Sequence, residues 1–119
     1  MKKAKVVDYH DLKPRTSAPG VPEVQPDFIV FPFFDKEDGA TISMRMHINM
    51  PGGKIKKELH THPWEHQTYT LAGEGVLVTE DGELRLKEGL VAFVPANLPH
   101  IMENRGYLPH VAIDVITTV

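Results

Sequence analysis

The residues best suited to chemistry are crowded into one heptapeptide, "HTHPWEH", His60 to His66, which holds three of the chain's seven histidines. Imidazole nitrogen binds zinc, copper, iron and nickel and tolerates manganese, so imidazoles this close together suggest a metal site. Successive side chains of a β-strand point to opposite faces. His60 and His62, at i and i+2, therefore face the same way. Pro63 cannot donate to a sheet ladder and favours a turn or bulge, after which the chain can bring His66 back to the same spot. A fourth nitrogen should come from elsewhere. The candidate is His100, which closes the proline-bracketed loop "PANLPH" (95–100). His10, His47 and His110 read as capped or surface residues. The chain has no cysteine, so thiolate ligation and disulfides are excluded and any metal is held by nitrogen and oxygen.

The elements that must position these residues read as β throughout. Ten prolines and nine glycines punctuate 119 residues, and no window keeps a helical apolar period over three turns. Residues 14–26, with four prolines, read as a surface arm. "FIVFPFF" (28–34) suits an edge strand or two short ones, broken at Pro32. "ATISMRMHINM" (40–50) alternates. Ile42, Met44, Met46 and Ile48 share one face, expected to pack in the core or shape an apolar cavity with Phe93. Ser43, Arg45, His47 and Asn49 share the other. Strands are expected through His60 and His62, over 67–71 and 75–79, back over 84–86 after an Asp81-Gly82 hairpin turn, as a buried strand over 90–94, and over 110–119. Eight or nine strands with short turns imply an all-β barrel or two-layered sandwich, which leaves few exposed edges. The length suits a single domain over 1–119, with an N-terminal arm (1–27) and a barrel core (40–119).

Composition excludes several partners. The net charge of -3 gives no basic footprint for nucleic acid. No apolar run approaches the roughly 18 residues of a spanning helix, and no apolar segment follows the early lysines as a signal peptide would require, so a cytoplasmic protein with no membrane partner is expected. No serine nucleophile elbow, phosphate loop or paired-carboxylate signature is present.

Two segments together resemble the small single-domain cupins. The first signature of that family runs Gly, five residues, His, one, His, three or four, Glu, six, Gly. "GGKIKKELHTHPWEHQTYTLAG" carries it: His60 and His62 match its histidines, His66 stands where the glutamate is expected, and Gly73 follows after six residues. The second runs Gly, five, Pro, one, Gly, two, His, three, Asn. "GLVAFVPANLPHIMEN" matches at Gly89, Pro95, His100 and Asn104. The resemblance spans about two thirds of the chain, from the Met44 strand onward. Three departures stand out. Gly52 lies seven residues before His60 rather than five, which preserves strand parity. Asn97 replaces a glycine and must supply positive φ. His66 replaces the glutamate, which resembles the four-histidine subset of small cupins.

That resemblance implies a double-stranded β-helix, or jelly-roll, barrel that dimerises. It also implies one divalent transition metal (Mn, Fe, Cu, Ni or Zn) held by His60, His62, His66 and His100. Four neutral imidazoles leave the site at about +2 rather than +1, a stronger Lewis acid for an anionic ligand such as an enolate or carboxylate. The expected function is a dioxygenase-like enzyme acting on a small enolisable or unsaturated molecule. A sugar or sugar-acid isomerase or epimerase, and a non-catalytic small-ligand or metal-binding module, are the alternatives. Thr68, Thr70, Glu103 and Asn104 are candidate acceptors for the imidazole N–H groups. Thr68 and Thr70 share parity with His66. Glu65 falls one residue off the ligand phase and is expected near the site's edge or on the surface. Trp64 either lids the site or packs outside it.

Overall fold

A computed structural model describes residues 2–14, 27–53 and 59–117. The expected arm over 14–26 lies outside the described residues except for Pro14, as do Thr118 and Val119 of the last expected strand. Eight antiparallel strands form two sheets. They are β1 (Phe28–Phe34), β2 (Ile42–Asn49), β3 (His66–Ala72), β4 (Glu74–Thr79), β5 (Gly82–Lys87), β6 (Val91–Val94), β7 (His100–Glu103) and β8 (His110–Thr117). One sheet runs β1-β2-β8-β3-β6 and the other β5-β4-β7. From β3 onward the chain passes from the first sheet to the second, back at β6, across at β7 and back at β8, which is a jelly-roll path. Within the described residues, no helix is long and apolar enough to cross a membrane.

Strand β1 is a single edge strand, and its register with β2 slips between Pro32 and Phe34, where the proline cannot donate. The β4–β5 hairpin forms where expected but one residue earlier. Thr79 pairs with Gly82 across the loop residues Glu80 and Asp81, and Gly82 takes φ 134°. Two expectations fail. His60 and His62 lie on no strand. His60 makes only an isolated bridge to His100, and the segment before it, 54–58, lies outside the described residues. Strand β7 was not anticipated, because four residues of "HIME" show no alternation to read.

The larger correction concerns which faces point inward. On β2 the polar set is the inner one: Ser43, Arg45 and Asn49 are buried, while Ile42 and Met44 are 59% and 46% exposed. Phe93 is 56% exposed on β6, an edge strand with an open face rather than a buried one. Met44 and Phe93 therefore shape no internal cavity. Of the expected apolar set on β2, only Met46 is buried. The interior is instead divided. Phe28, Val30, Leu77, Leu86, Ala92, Val94 and Met102 form the apolar cluster, drawn from the flanking strands β1 and β6 and the facing sheet, with Leu98 packed against it. The central strands β2, β8 and β3 turn a polar surface inward. Arg45, Asp114 and Thr68 stand opposite one another in register, one row from His66 and Ile116.

Candidate metal centre

Backbone pairing brings the distant histidines together. The N–H of His60 donates to the carbonyl of His100 and that of His100 to the carbonyl of His60, both at 3.0 Å, which sets the two rings side by side at 4.5 Å between centroids. The His62 carbonyl accepts from the N–H of Asn97 at 2.8 Å. Asn97 has φ 65°, the only positive value at a non-glycine residue among the described residues, so the asparagine does adopt the left-handed turn expected of it. Pro63 and Trp64 turn the chain, and His66 opens β3 with its side chain inward, as Thr68 and Thr70 are by the same parity.

Three imidazoles, of His60, His62 and His100, thus meet in one buried place, and the buried His66 adjoins them at His100. Ligand nitrogens of His60, His62 and His100 lie within 4.8 Å of one another. His66 Nε2 lies 3.3 Å from His100 Nε2, with ring centroids 5.0 Å from His62 and 5.2 Å from His100.

The tautomers decide what this cluster can do. His62 Nδ1 faces the Trp64 carbonyl at 2.8 Å and His100 Nδ1 faces the Leu98 carbonyl at 2.7 Å. A carbonyl only accepts, so each Nδ1 must carry the proton. His66 Nδ1 likewise faces Asp114 Oδ1 at 2.9 Å, and that carboxylate is ionised. In the neutral form that metal binding requires, each of these rings is left with a bare Nε2 lone pair, and those of His66 and His100 lie 3.3 Å apart. Neutral lone pairs so placed repel. Two nitrogens bound to one ion at about 2.0–2.1 Å sit roughly 3.0–3.4 Å apart, so the donor set fits a divalent metal.

Trp64 packs over the His62 ring, 4.6 Å between centroids and 8° from parallel, while its carbonyl holds that ring's proton, so it belongs to the site rather than to a surface beyond it. Glu65 is exposed. Glu103 binds Arg105 at 2.7 Å. Asn104 donates to the Asn49 and Leu108 carbonyls, both at 2.8 Å, and so ties together the loops beside β2 and β7. Gly53 must be glycine there, since a Cβ would collide with the Asn49 side chain.

Two histidines expected to be peripheral are internal. His110 is buried, with Nε2 2.9 Å from Thr70 Oγ1, so it is capped but not at the surface. The His47 side chain is 12% exposed, packs edge-on against Phe28, and places Nε2 3.7 Å from Asp114 Oδ2. His10 is at the surface, bonded to Asp8. Asp114 itself went unread in the sequence. Burial works to raise its pKa but is outweighed by the attraction of His47, the hydrogen bond and charge of His66, and the Arg45 guanidinium, leaving it well below the usual carboxylate range.

Burial acts the other way on the histidines. It pushes His47 down to about 3 and His100 to about 4, and it lowers His62 and His110. The unfolded chain therefore takes up protons that the fold refuses. Stability is fully present above the ordinary histidine pKa of about 6.5 and is lost as pH falls below it. The depressed Asp114 adds loss only below the ordinary carboxylate pKa of about 3.9. We expect the urea midpoint of metal-free protein to fall steadily from pH 6.5 to 4, with His47 alone contributing up to about 1.4 kcal/mol per pH unit. A midpoint constant across that window would contradict the assignment.

Comparison with known proteins gives a consistent placement. The model of the cupin domain family matches residues 46–116. Mannose-1-phosphate guanylyltransferases of Escherichia coli and Klebsiella pneumoniae are each 31% identical over 65 residues, which is 55% of this chain but only 14% of theirs. Among solved structures, a polyketide cyclase from Streptomyces resistomycificus superposes with a TM-score of 0.82 at 24% identity, covering 98% of this chain and 81% of that one. A predicted oxalate decarboxylase from Thermotoga maritima gives 0.79 at 22%, covering 97% and 100%. A sugar phosphate isomerase from Silicibacter pomeroyi gives 0.78 at 20%, covering 97% and 76%. At these identities the likeness is one of fold.

Proposed function

The chain belongs to the cupin domain family, and on that premise we propose that His60, His62, His66 and His100 together hold one divalent transition-metal ion in a dioxygenase-like enzyme acting on a small enolisable or unsaturated molecule. Manganese, iron, copper, nickel and zinc are the candidates. The observation that carries this reading is the convergence of imidazole nitrogens whose opposite ring nitrogens are each committed to an oxygen acceptor, at Trp64, Leu98 and Asp114. When bound, the ion supplies Lewis-acid stabilisation of an anionic, enolate-like substrate. The chain's own residues keep the rings aimed. The three Nδ1 anchors fix each tautomer, the His60–His100 bridge fixes the spacing, and Trp64 covers the outer face of His62.

Oxygen consumption tests the reaction class. Protein loaded separately with iron, manganese, copper and nickel is expected to consume oxygen with at least one member of a panel of 1,3-diketones, flavonols and styrenes, and to stop doing so when His100 is replaced by alanine. No uptake with any pairing would count against the oxygen-dependent reading. A second reading is a metal-dependent isomerase or epimerase of a sugar or sugar acid, which would use the same ion as a Lewis acid. Turnover without oxygen would favour it. Fold does not choose between the two.

A homodimer is part of the same proposal. The outer face of the five-stranded sheet carries Ile42, Met44, Tyr69, Leu71, Val91 and Phe93, each 40–60% exposed. Contiguous apolar surface of this kind marks an interaction site. Light scattering is expected to give twice the chain mass, shifting toward one with Phe93→Glu; a monomeric parent would refute the dimer.

A further inference from the structure

We infer that Asp114 is a positioning residue for the metal centre. It orients the His66 ring and returns to the site the negative charge that is missing where the family pattern has glutamate. The inference rests on the four-histidine reading above. Asp114 is the one buried carboxylate among the described residues, 1% exposed. Its two oxygens are divided between two tasks. Oδ1 accepts from His66 Nδ1 at 2.9 Å and from Thr68 Oγ1 at 2.7 Å. Oδ2 accepts from Arg45 Nε and Nη2 at 3.2 and 3.1 Å. Register explains the arrangement: Asp114 on β8 lies directly between Arg45 on β2 and Thr68 on β3, and His66 is two residues from Thr68 on the same face.

The chemistry follows from that division. A carboxylate hydrogen-bonded to the far nitrogen of a ligating imidazole fixes its tautomer and orientation and pushes electron density toward the metal. His62 and His100 have only neutral carbonyls in that place. Of these three rings, His66 is therefore the one with an anionic partner, and it is also the ring standing at the glutamate's position. Thr68 orients Oδ1, and Arg45 keeps the carboxylate ionised and aligned while moderating its charge. Asp114 thus acts on the metal through His66.

The competing account is that Asp114 only neutralises Arg45 in the interior. Zinc affinity of the full chain, measured at one fixed pH by competition with a chromophoric chelator, separates the two. The variants are Asp114→Asn and, because that change removes the negative charge facing a buried guanidinium, the neutral pair Arg45→Met/Asp114→Asn, each made with and without His66→Ala. With His66 present we expect both to weaken zinc binding about 10–100-fold. In the His66→Ala background the same changes should alter affinity by no more than about 2-fold, because the residue through which Asp114 acts is gone. The visible bands of cobalt-loaded protein should likewise shift on Asp114→Asn only when His66 is present. Equal losses in both backgrounds, or no loss in either, would overturn the inference and leave the four-histidine site standing. If His66→Ala alone bound zinc as tightly as the parent, the four-histidine reading would fall and this inference with it.

Discussion

Replacing His100 by alanine is expected to abolish tight metal binding. His100 is the least exposed of the four imidazoles, at 2%, and its Nε2 faces that of His66 at 3.3 Å. The substitution is selective because the bridge to His60 and the ladder of β7 use only backbone atoms, which alanine keeps. The loss should exceed the roughly 10–100-fold that removal of an outer hydrogen-bond partner costs, since a donor to the ion itself is gone. Thermal unfolding gives the clearest readout. Metal at about 1,000 times its dissociation constant stabilises the parent by about 4 kcal/mol. For a chain of this size that is an upward shift of several degrees per kcal/mol. His100→Ala should show little of that shift at the same metal concentration, while its metal-free circular dichroism matches the parent. A variant stabilised as strongly as the parent would remove His100 from the ligand set.

Truncating Asp114 to alanine should produce the largest loss of stability in the metal-free protein, about 3–5 kcal/mol. The reason lies in what remains behind. Arg45 has a side-chain exposure of 6% and donates twice to Asp114, so truncation takes that carboxylate away from a buried guanidinium. His66 and Thr68 lose their acceptor as well. Removing both charges together, as in Arg45→Met/Asp114→Leu, should recover most of the loss, because well-packed apolar residues replace a buried pair at little cost. Urea unfolding of the two variants and the parent in chelator measures this. If the double variant were as unstable as the single one, packing or strand pairing would be the cause rather than unbalanced charge.

The sequence disclosed the site more readily than its surroundings. That His60, His62, His66 and His100 would lie near one another was legible because ligand chemistry demands a residue type at a spacing, although His60 and His62 come together without the strand that parity assumed. Asn97 was legible for the same reason, since the φ of 65° admits few side chains. The orientation of β2 was not. A period of two says that two faces differ but not which is inside, and the usual rule, apolar inward, is reversed here because the polar face serves the site. Ile42 and Met44 point outward to a surface with its own apolar character, while Arg45 and Asn49 lie inside.

One signal could have corrected this. "ISMRMHIN" holds a single cation and "HVAIDVIT" a single anion, each in the middle of a strand otherwise free of acidic and basic charge. Lone charges in such positions are disfavoured on strands unless something pairs them, and a pair of opposite sign points to a shared interior. Read together, Arg45 and Asp114 would have turned β2 the right way and placed a carboxylate next to His66. His110 and His47 would then have followed by parity, on the inner faces of β8 and β2.

The central claim is that one ion is held by four imidazoles, and X-ray absorption at the metal edge of zinc-loaded protein tests it most directly by counting histidine rings around the ion. The expected result is one zinc per chain with four imidazole ligands, falling to three in His66→Ala. Three imidazoles in the parent with the remaining donors oxygen, unchanged by that substitution, would contradict the claim.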